Sequence, residues 1–352
     1  MTDLKQRLIA RIEDQGPLPF DEYQAMCLYD AEEGFFSAAA DVRSSYGGDF
    51  VTSPEVTAHF GAAIGRYVKG ESIRAGTRSQ VVEVGAGSGS LTDAMRSEVT
   101  GADFYAVESS EVARRQLREL LGSDRVVESI DELPAAQHRI TVANELVDNI
   151  PVALVIRADE GWVEQRVGWS GNEFGFVHEI PRPDVEEWVE RHTPSVPIGS
   201  QVEVQLGAQT WLRELIGLSP AGTAVIIDYG GTTEELETRR TTGTLRTYRG
   251  HHLGPHPFLD PGRSDITVDV DFSALLDEAA GLGAEAELLR QDDFLSSLGL
   301  RDVVSGLRRT ELALAREGDV MGQMRVRSER VDVETVLHPR GLGDFRVLIV
   351  RW

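Results

Sequence analysis

The chain has 352 residues and a formal net charge of −23, so it is long enough for one large α/β domain with an insertion, or for two domains. That acidity excludes broad nucleic-acid binding, since no basic stripe neutralises phosphates, and a single cysteine, Cys27, excludes a disulfide framework and a cysteine-based zinc site. No apolar run approaches 18 residues, and the stretch after Met1 lacks the apolar core of a signal peptide, so a soluble, cytoplasmic protein with no membrane partner is expected.

Residues 3 to 14 carry Leu4, Leu8, Ile9 and Ile12 at helical spacing, and Gly16-Pro17 ends that helix. A second helix is expected from Phe20 to Tyr29, with Tyr23, Met26 and Cys27 inward. The stretch from Gly47 through Asp49 and Thr52 to Glu55 then supplies Ser53 as an N-cap and Pro54 at the first helical position. Val56, Phe60, Ile64 and Tyr67 continue as one apolar stripe. Asp49 and Thr52 place a carboxylate and a hydroxyl beside free helix N–H groups; an ordinary capped loop reads the same residues equally well.

The run Val81-Val82-Glu83-Val84-Gly85-Ala86-Gly87-Ser88-Gly89-Ser90 reads as strand, tight turn and helix start, the opening of a nucleotide-binding α/β sheet. Its third glycine comes one residue earlier than the dinucleotide pattern requires. Acid-x-Gly-x-Gly-x-Gly instead resembles the first motif of S-adenosylmethionine-dependent methyltransferases, whose loop cradles an amino-acid-bearing nucleoside. The next strand, 103–108, ends at Glu108, 19 positions after Gly89, where a carboxylate accepts both ribose hydroxyls; Ser109 follows it. Ile130 and Asp131 follow a third strand at about 125–129, where an adenine ring is expected. The fourth strand ends in Asn144-Glu145-Leu146-Val147-Asp148, and the carboxyl ends of parallel strands line the ligand crevice.

Between 152 and 205, short alternating runs with glycine turns predict an antiparallel meander, then a helix capped by Asp184. Residues 206–218 return as a helix, and 223–230 form a buried strand with a polar tip. The segment from Thr244 to Phe272 is too long for an idle connector and is expected to be a lid or channel lining. His251, His252 and His256 within it lack a carboxylate or cysteine at ligand spacing, so no metal is expected. Helices over 272–282 and 292–316, a strand near 285–290 and a terminal strand over 345–350 complete the chain.

These residues together resemble the MidA-like family, methyltransferases linked to assembly of respiratory complex I in mitochondria. The likeness runs through Cys27-Leu28-Tyr29, Gly48-Asp49-Phe50-Val51-Thr52-Ser53-Pro54-Glu55, the Val84–Gly89 loop and Val107-Glu108-Ser109-Ser110. It continues in Asn144-Glu145-Leu146-Val147-Asp148-Asn149-Ile150-Pro151, Ile227-Asp228-Tyr229-Gly230 and Asp265-Ile266-Thr267-Val268. Asn149 departs from the family, which usually has Ala there. The resemblance implies an α/β class I methyltransferase (Rossmann-like) fold with a mainly parallel seven-stranded sheet, S-adenosyl-L-methionine as donor, and an arginine of a protein as acceptor, in the best-studied branch a complex I subunit.

The expected organisation is an N-terminal helical cap (1–75), a methyltransferase core (76–151 and 220–352), and an inserted α+β subdomain over the active site (152–219). Cofactor contacts are expected from Asp49, Thr52, Ser53, Glu83, Gly85, Ala86, Gly87, Gly89, Glu108, Ser109, Ile130, Asp131 and Asn144. Glu145 and Asp148 are the expected catalytic pair: they grip a guanidinium, and Glu145 takes the proton released on transfer. A small-molecule methyltransferase, a dinucleotide oxidoreductase and a non-catalytic assembly factor remain alternatives, and the oligomeric state, a homodimer included, stays open.

Overall fold

The structure, a computed structural model, describes residues 3–38, 52–193, 195–238, 241–250 and 252–352. Asp49, with the rest of the Gly47–Val51 stretch, and His251 lie outside the described residues.

A seven-stranded mixed sheet organises the chain. Its strands are β1 (Gln80–Val84), β2 (Asp103–Val107), β3 (Val126–Val127), β4 (Arg139–Asn144), β5 (Gly222–Asp228), β6 (Glu285–Arg290) and β7 (Arg346–Arg351). The order across the sheet is β6-β7-β5-β4-β1-β2-β3. Only β7 runs against the rest, antiparallel to both β5 and β6. The register matches Ile227 to Asn144 and Val84 to both Ala143 and Val107. Consequently the tips at Gly85, Glu108, Glu145 and Asp228 lie along one edge.

Side-chain alternation explains why the sheet is covered on both faces. Val225 and Ile227 join Ile140, Val142 and Val347 against Phe60, Ile64 and Val68 of the helix Ala58–Ala75. Ala224 and Ile226 meet Leu212, Leu215, Phe272 and Leu275 on the other side. Each such large side chain contributes about 1.5–3 kcal/mol through burial. The strand tips are thereby held on a rigid platform.

A second, antiparallel sheet comprises Ala153–Ala158, Gly161–Trp169, Phe174–Glu179, Gln201–Val204 and the short Leu18–Pro19 pair. Helices Leu4–Gln15 and Phe20–Tyr29 pack on it through Leu8, Phe20, Tyr23, Leu154 and Val167. The N-terminal helices and the meander thus share one apolar cluster.

Several local expectations are corrected. The helix expected to run on from Ser53 is one turn, Ser53–Val56, with Thr52 as its N-cap. Thr57 is extended (φ −155°), and its side chain accepts the His59 N–H to cap a new helix. Asp184 is not a cap; Arg182 precedes the helix, Pro183 opens it, and Asp184 accepts the N–H of Val185. The expected 292–316 helix breaks at Gly299 (φ 86°) into Gln291–Ser297 and Leu300–Glu317. The Thr244–Phe272 segment contains paired strands, Arg246–Arg249 against Asp265–Thr267. Among the described residues, no helix is long and apolar enough to cross a membrane.

Candidate active site

The glycine loop leaves β1 in left-handed backbone, with φ of 72° at Gly85, 51° at Gly87 and 79° at Gly89. A Cβ on Gly87 would meet nothing within 4 Å, so that residue needs glycine for its backbone and faces open space. Its N–H donates to Glu108 Oε2 at 2.8 Å, and the Ser110 N–H donates to Oε1, also at 2.8 Å. The Glu108 carboxylate is therefore fixed against the loop and against Ser110, the residue that precedes the helix Glu111–Leu121. Ser109 is exposed beside it. Glu83 is buried beneath the loop, accepts the Thr92 hydroxyl, and has its pKa pushed up to about 8 by burial. It braces the turn from below. Ala86 is buried; Ile130 is buried and Asp131 exposed in a 3-10 turn capped by Ser129. An open left-handed cradle beside an anchored carboxylate fits a ribose-bearing donor.

Glu145 is, among the described residues, the one non-glycine in left-handed backbone (φ 52°). This conformation costs roughly 1–2 kcal/mol and places its carboxyl off the tip of β4. Asn144 donates to Glu145 Oε1 at 3.2 Å, and the Ser53 backbone hydrogen-bonds to the same carboxyl. The Asn144 Oδ1 is buried without a partner. Ser53 is fully buried and Thr52 half-buried, and the segment beginning at Thr52 meets the tip of β4 through Ser53. Burial, and next the charge of Asp148, push Glu145 up to about 8.

Asp148 is buried in the 3-10 turn Val147–Asn149. Its Oδ2 accepts the Thr267 hydroxyl at 2.6 Å and the Tyr229 hydroxyl, while Oδ1 is buried and unpartnered. Asp228 is fully buried behind it. Its Oδ2 accepts the N–H groups of Val147 (2.9 Å) and Asp148 (3.2 Å), and Oδ1 that of Tyr229 (2.9 Å). Burial raises the pKa of both aspartates, and for Asp228 the charges of Asp148 and Glu145 add to it. Tyr29, from the second helix, donates to the Asn149 carbonyl at 3.1 Å and stacks on Phe36 at 5.4 Å.

The structure brings Glu145 and Asp148 together and adds groups that motif spacing did not single out: Asp228, Tyr229, Thr267 and Tyr29. Asp228 carried a signal, since it ends a buried strand next to the one ending in Glu145. Thr267 stood only within one of the stretches carrying the family likeness, because the tertiary fold alone returns its strand to Asp148. No group of three or more His, Cys, Asp or Glu suited to a metal occurs among the described residues.

A family model described as "Putative S-adenosyl-L-methionine-dependent methyltransferase" matches residues 64–289. The chain belongs to this family. It is 27% identical to the mitochondrial protein arginine methyltransferase NDUFAF7 of Mus musculus, over 98% of this chain and 83% of that protein. The corresponding protein of Danio rerio is 28% identical, over 83% and 76%. A Burkholderia thailandensis protein solved with S-adenosyl-homocysteine bound superposes with a TM-score of 0.84 at 27% identity, covering 99% of this chain and 92% of that one. This family member is a methyltransferase that uses S-adenosyl-L-methionine. The expected cytoplasmic location is corrected by the mouse and zebrafish relatives, both named mitochondrial.

Proposed function

We propose that the acceptor is an arginine side chain of a protein. The observation carrying this reading is the cluster of Glu145, Asp148 and Asp228, two buried carboxyls and one half-buried, with no salt-bridge partner among the described residues. Burying like charges together is costly unless a cation joins them, and a guanidinium offers several N–H donors to two acceptors at once. The names of the mouse and zebrafish relatives support the same acceptor.

When bound, S-adenosyl-L-methionine supplies the methyl group as a sulfonium electrophile. Gly85, Gly87 and Glu108 hold the nucleoside, with Ala86, Gly89, Ser109, Ile130, Asp131 and Asn144 around it. Glu83 braces the loop, and Thr52 and Ser53 border the site. The free Oδ1 of Asp148 and the carboxylate of Glu145 orient one guanidino nitrogen for in-line attack. As the N–C bond forms and the S–C bond breaks, that nitrogen releases a proton to Glu145, whose pKa of about 8 suits a base working near neutrality.

The same reading takes the architecture as a class I, Rossmann-like methyltransferase core (76–151 and 220–352). A helical cap (1–75) and an inserted subdomain (152–219) wall the site, a reading supported by the apolar cluster those two share. The test is to incubate the purified chain with labelled donor and a cell lysate, then hydrolyse the proteins. Labelled methylarginine is expected from the native chain and not from Glu145→Gln, which should still bind S-adenosyl-homocysteine. Label in small metabolites alone would overturn the protein acceptor.

A further inference from the structure

A cleft of about 980 Å³ opens at the same sheet edge, lined among others by Arg246, Tyr248, His338, Arg340 and Phe345. Its inner wall lies one layer from the acid cluster. The Arg246 guanidinium stacks over the Tyr229 ring at 5.3 Å, and Phe345 meets the same ring edge-on at 5.6 Å. Tyr229 in turn donates its hydroxyl to Asp148. The cleft therefore continues outward from the place where the acceptor side chain is read to sit.

Its charges oppose those of the chain as a whole, which carries −23. Glu334, on the rim, is held by Arg330 at 2.7 Å, and Arg246 is paired with Asp269. Arg340 is exposed, and its guanidinium meets no carboxylate among the described residues. An uncommitted cation in a cleft also lined by Tyr248 and Phe345 suits a peptide segment carrying carboxylates, not a basic one.

Resting on the arginine reading above, we infer that this cleft docks an acidic stretch of the protein substrate next to its target arginine. Arg340 then acts as a specificity determinant outside the catalytic cluster. The substrate presents opposite charges to two neighbouring sites: a cation to Glu145 and Asp148, and carboxylates to the cleft. Such separation selects arginines flanked by acids over the arginine-rich stretches that a strongly acidic protein would otherwise attract.

The experiment measures binding of fluorescent peptides to the full chain loaded with S-adenosyl-homocysteine, at low ionic strength. Four short peptides combine a central arginine or glutamine with flanks of aspartate or of glycine and serine. The acidic-flanked arginine peptide is expected to bind about fivefold more tightly than the neutral-flanked one. Arg340→Glu should abolish that preference while leaving the neutral-flanked peptide unchanged, and added salt should shrink it. Equal binding of both flanks, or a preference that survives Arg340→Glu, would overturn the cleft assignment. If glutamine peptides keep the flank preference and bind as well as arginine ones, the cleft assignment stands and the arginine reading fails.

Discussion

Thr267 donates its hydroxyl to Asp148 at 2.6 Å across 119 residues of sequence. This bond ties the Asp265–Thr267 strand, and the long segment containing it, to the turn that follows β4. The segment expected from sequence to be a lid or channel lining thus contributes a strand bonded to the acid cluster. Replacing Thr267 with Val keeps the shape and removes one of the two hydroxyl donors to Asp148 Oδ2, leaving Tyr229 as its remaining partner. The expected result is about a tenfold loss in kcat/KM, matching the loss of one hydrogen bond to a carboxylate, with little change in S-adenosyl-homocysteine affinity. Steady-state kinetics beside calorimetry checks this.

Glu145 sets the pH dependence. Its carboxyl, raised to about 8, is mainly protonated at neutral pH, whereas arginine stays cationic throughout the accessible range. The competent form gains population as pH rises, so kcat/KM should climb through neutrality and level off above about pH 8. Glu145→Gln should be slow and lose this limb. A native profile that falls with rising pH would contradict the assignment.

Glu83 has the same elevated value but works on stability. Its folded pKa of about 8 exceeds the ordinary 4.5, so between those values the folded state holds the extra proton and stability falls as pH rises. Glu83→Gln retains an oxygen for Thr92 and removes the titration. Its melting temperature should match the native chain near about pH 4.5 and exceed it by about 2–4 °C near pH 8. Thermal melts across that range provide the measurement.

Two loop glycines should separate binding from folding. A Cβ at Gly89 would lie 2.8 Å from Leu117, while at Gly87 it would enter open space. Gly87→Ala should therefore lose about 1 kcal/mol to backbone strain and at least tenfold in donor affinity, as the Cβ fills the cradle. Gly89→Ala should lose more stability through its clash, about 1–3 kcal/mol. Denaturant melts and calorimetry with S-adenosyl-homocysteine distinguish the two.

Much of the fold was legible because its signals are local. Glycines at fixed spacing, acids at the tips of β2, β4 and β5, and valine-rich runs placed β1, β2, β4, β5 and β7 close to where they lie. The helix Val320–Val336 was not anticipated: Val331-Asp332-Val333 alternates like a strand, and only Val326, Val333, Val336 and Gly322 of its residues are buried. The single turn at Ser53–Val56 was hidden because Thr57 caps a helix from within an unbroken apolar stripe. Within the site, Glu145 and Asp148 could be read from strand order, but Thr267 and Tyr229 reach Asp148 only through tertiary contacts. Glu145's left-handed backbone has no sequence signature, since glutamate rarely adopts it.

The central claim is that a cation completes the carboxyl cluster of Glu145, Asp148 and Asp228. Calorimetry of a neutral-flanked arginine peptide binding to the S-adenosyl-homocysteine-loaded chain, repeated near neutrality in buffers of differing ionisation enthalpy, tests it most directly. Binding should release close to one proton, and the release should vanish in Glu145→Gln. Proton uptake, or binding that leaves protonation untouched in the native chain, would contradict it.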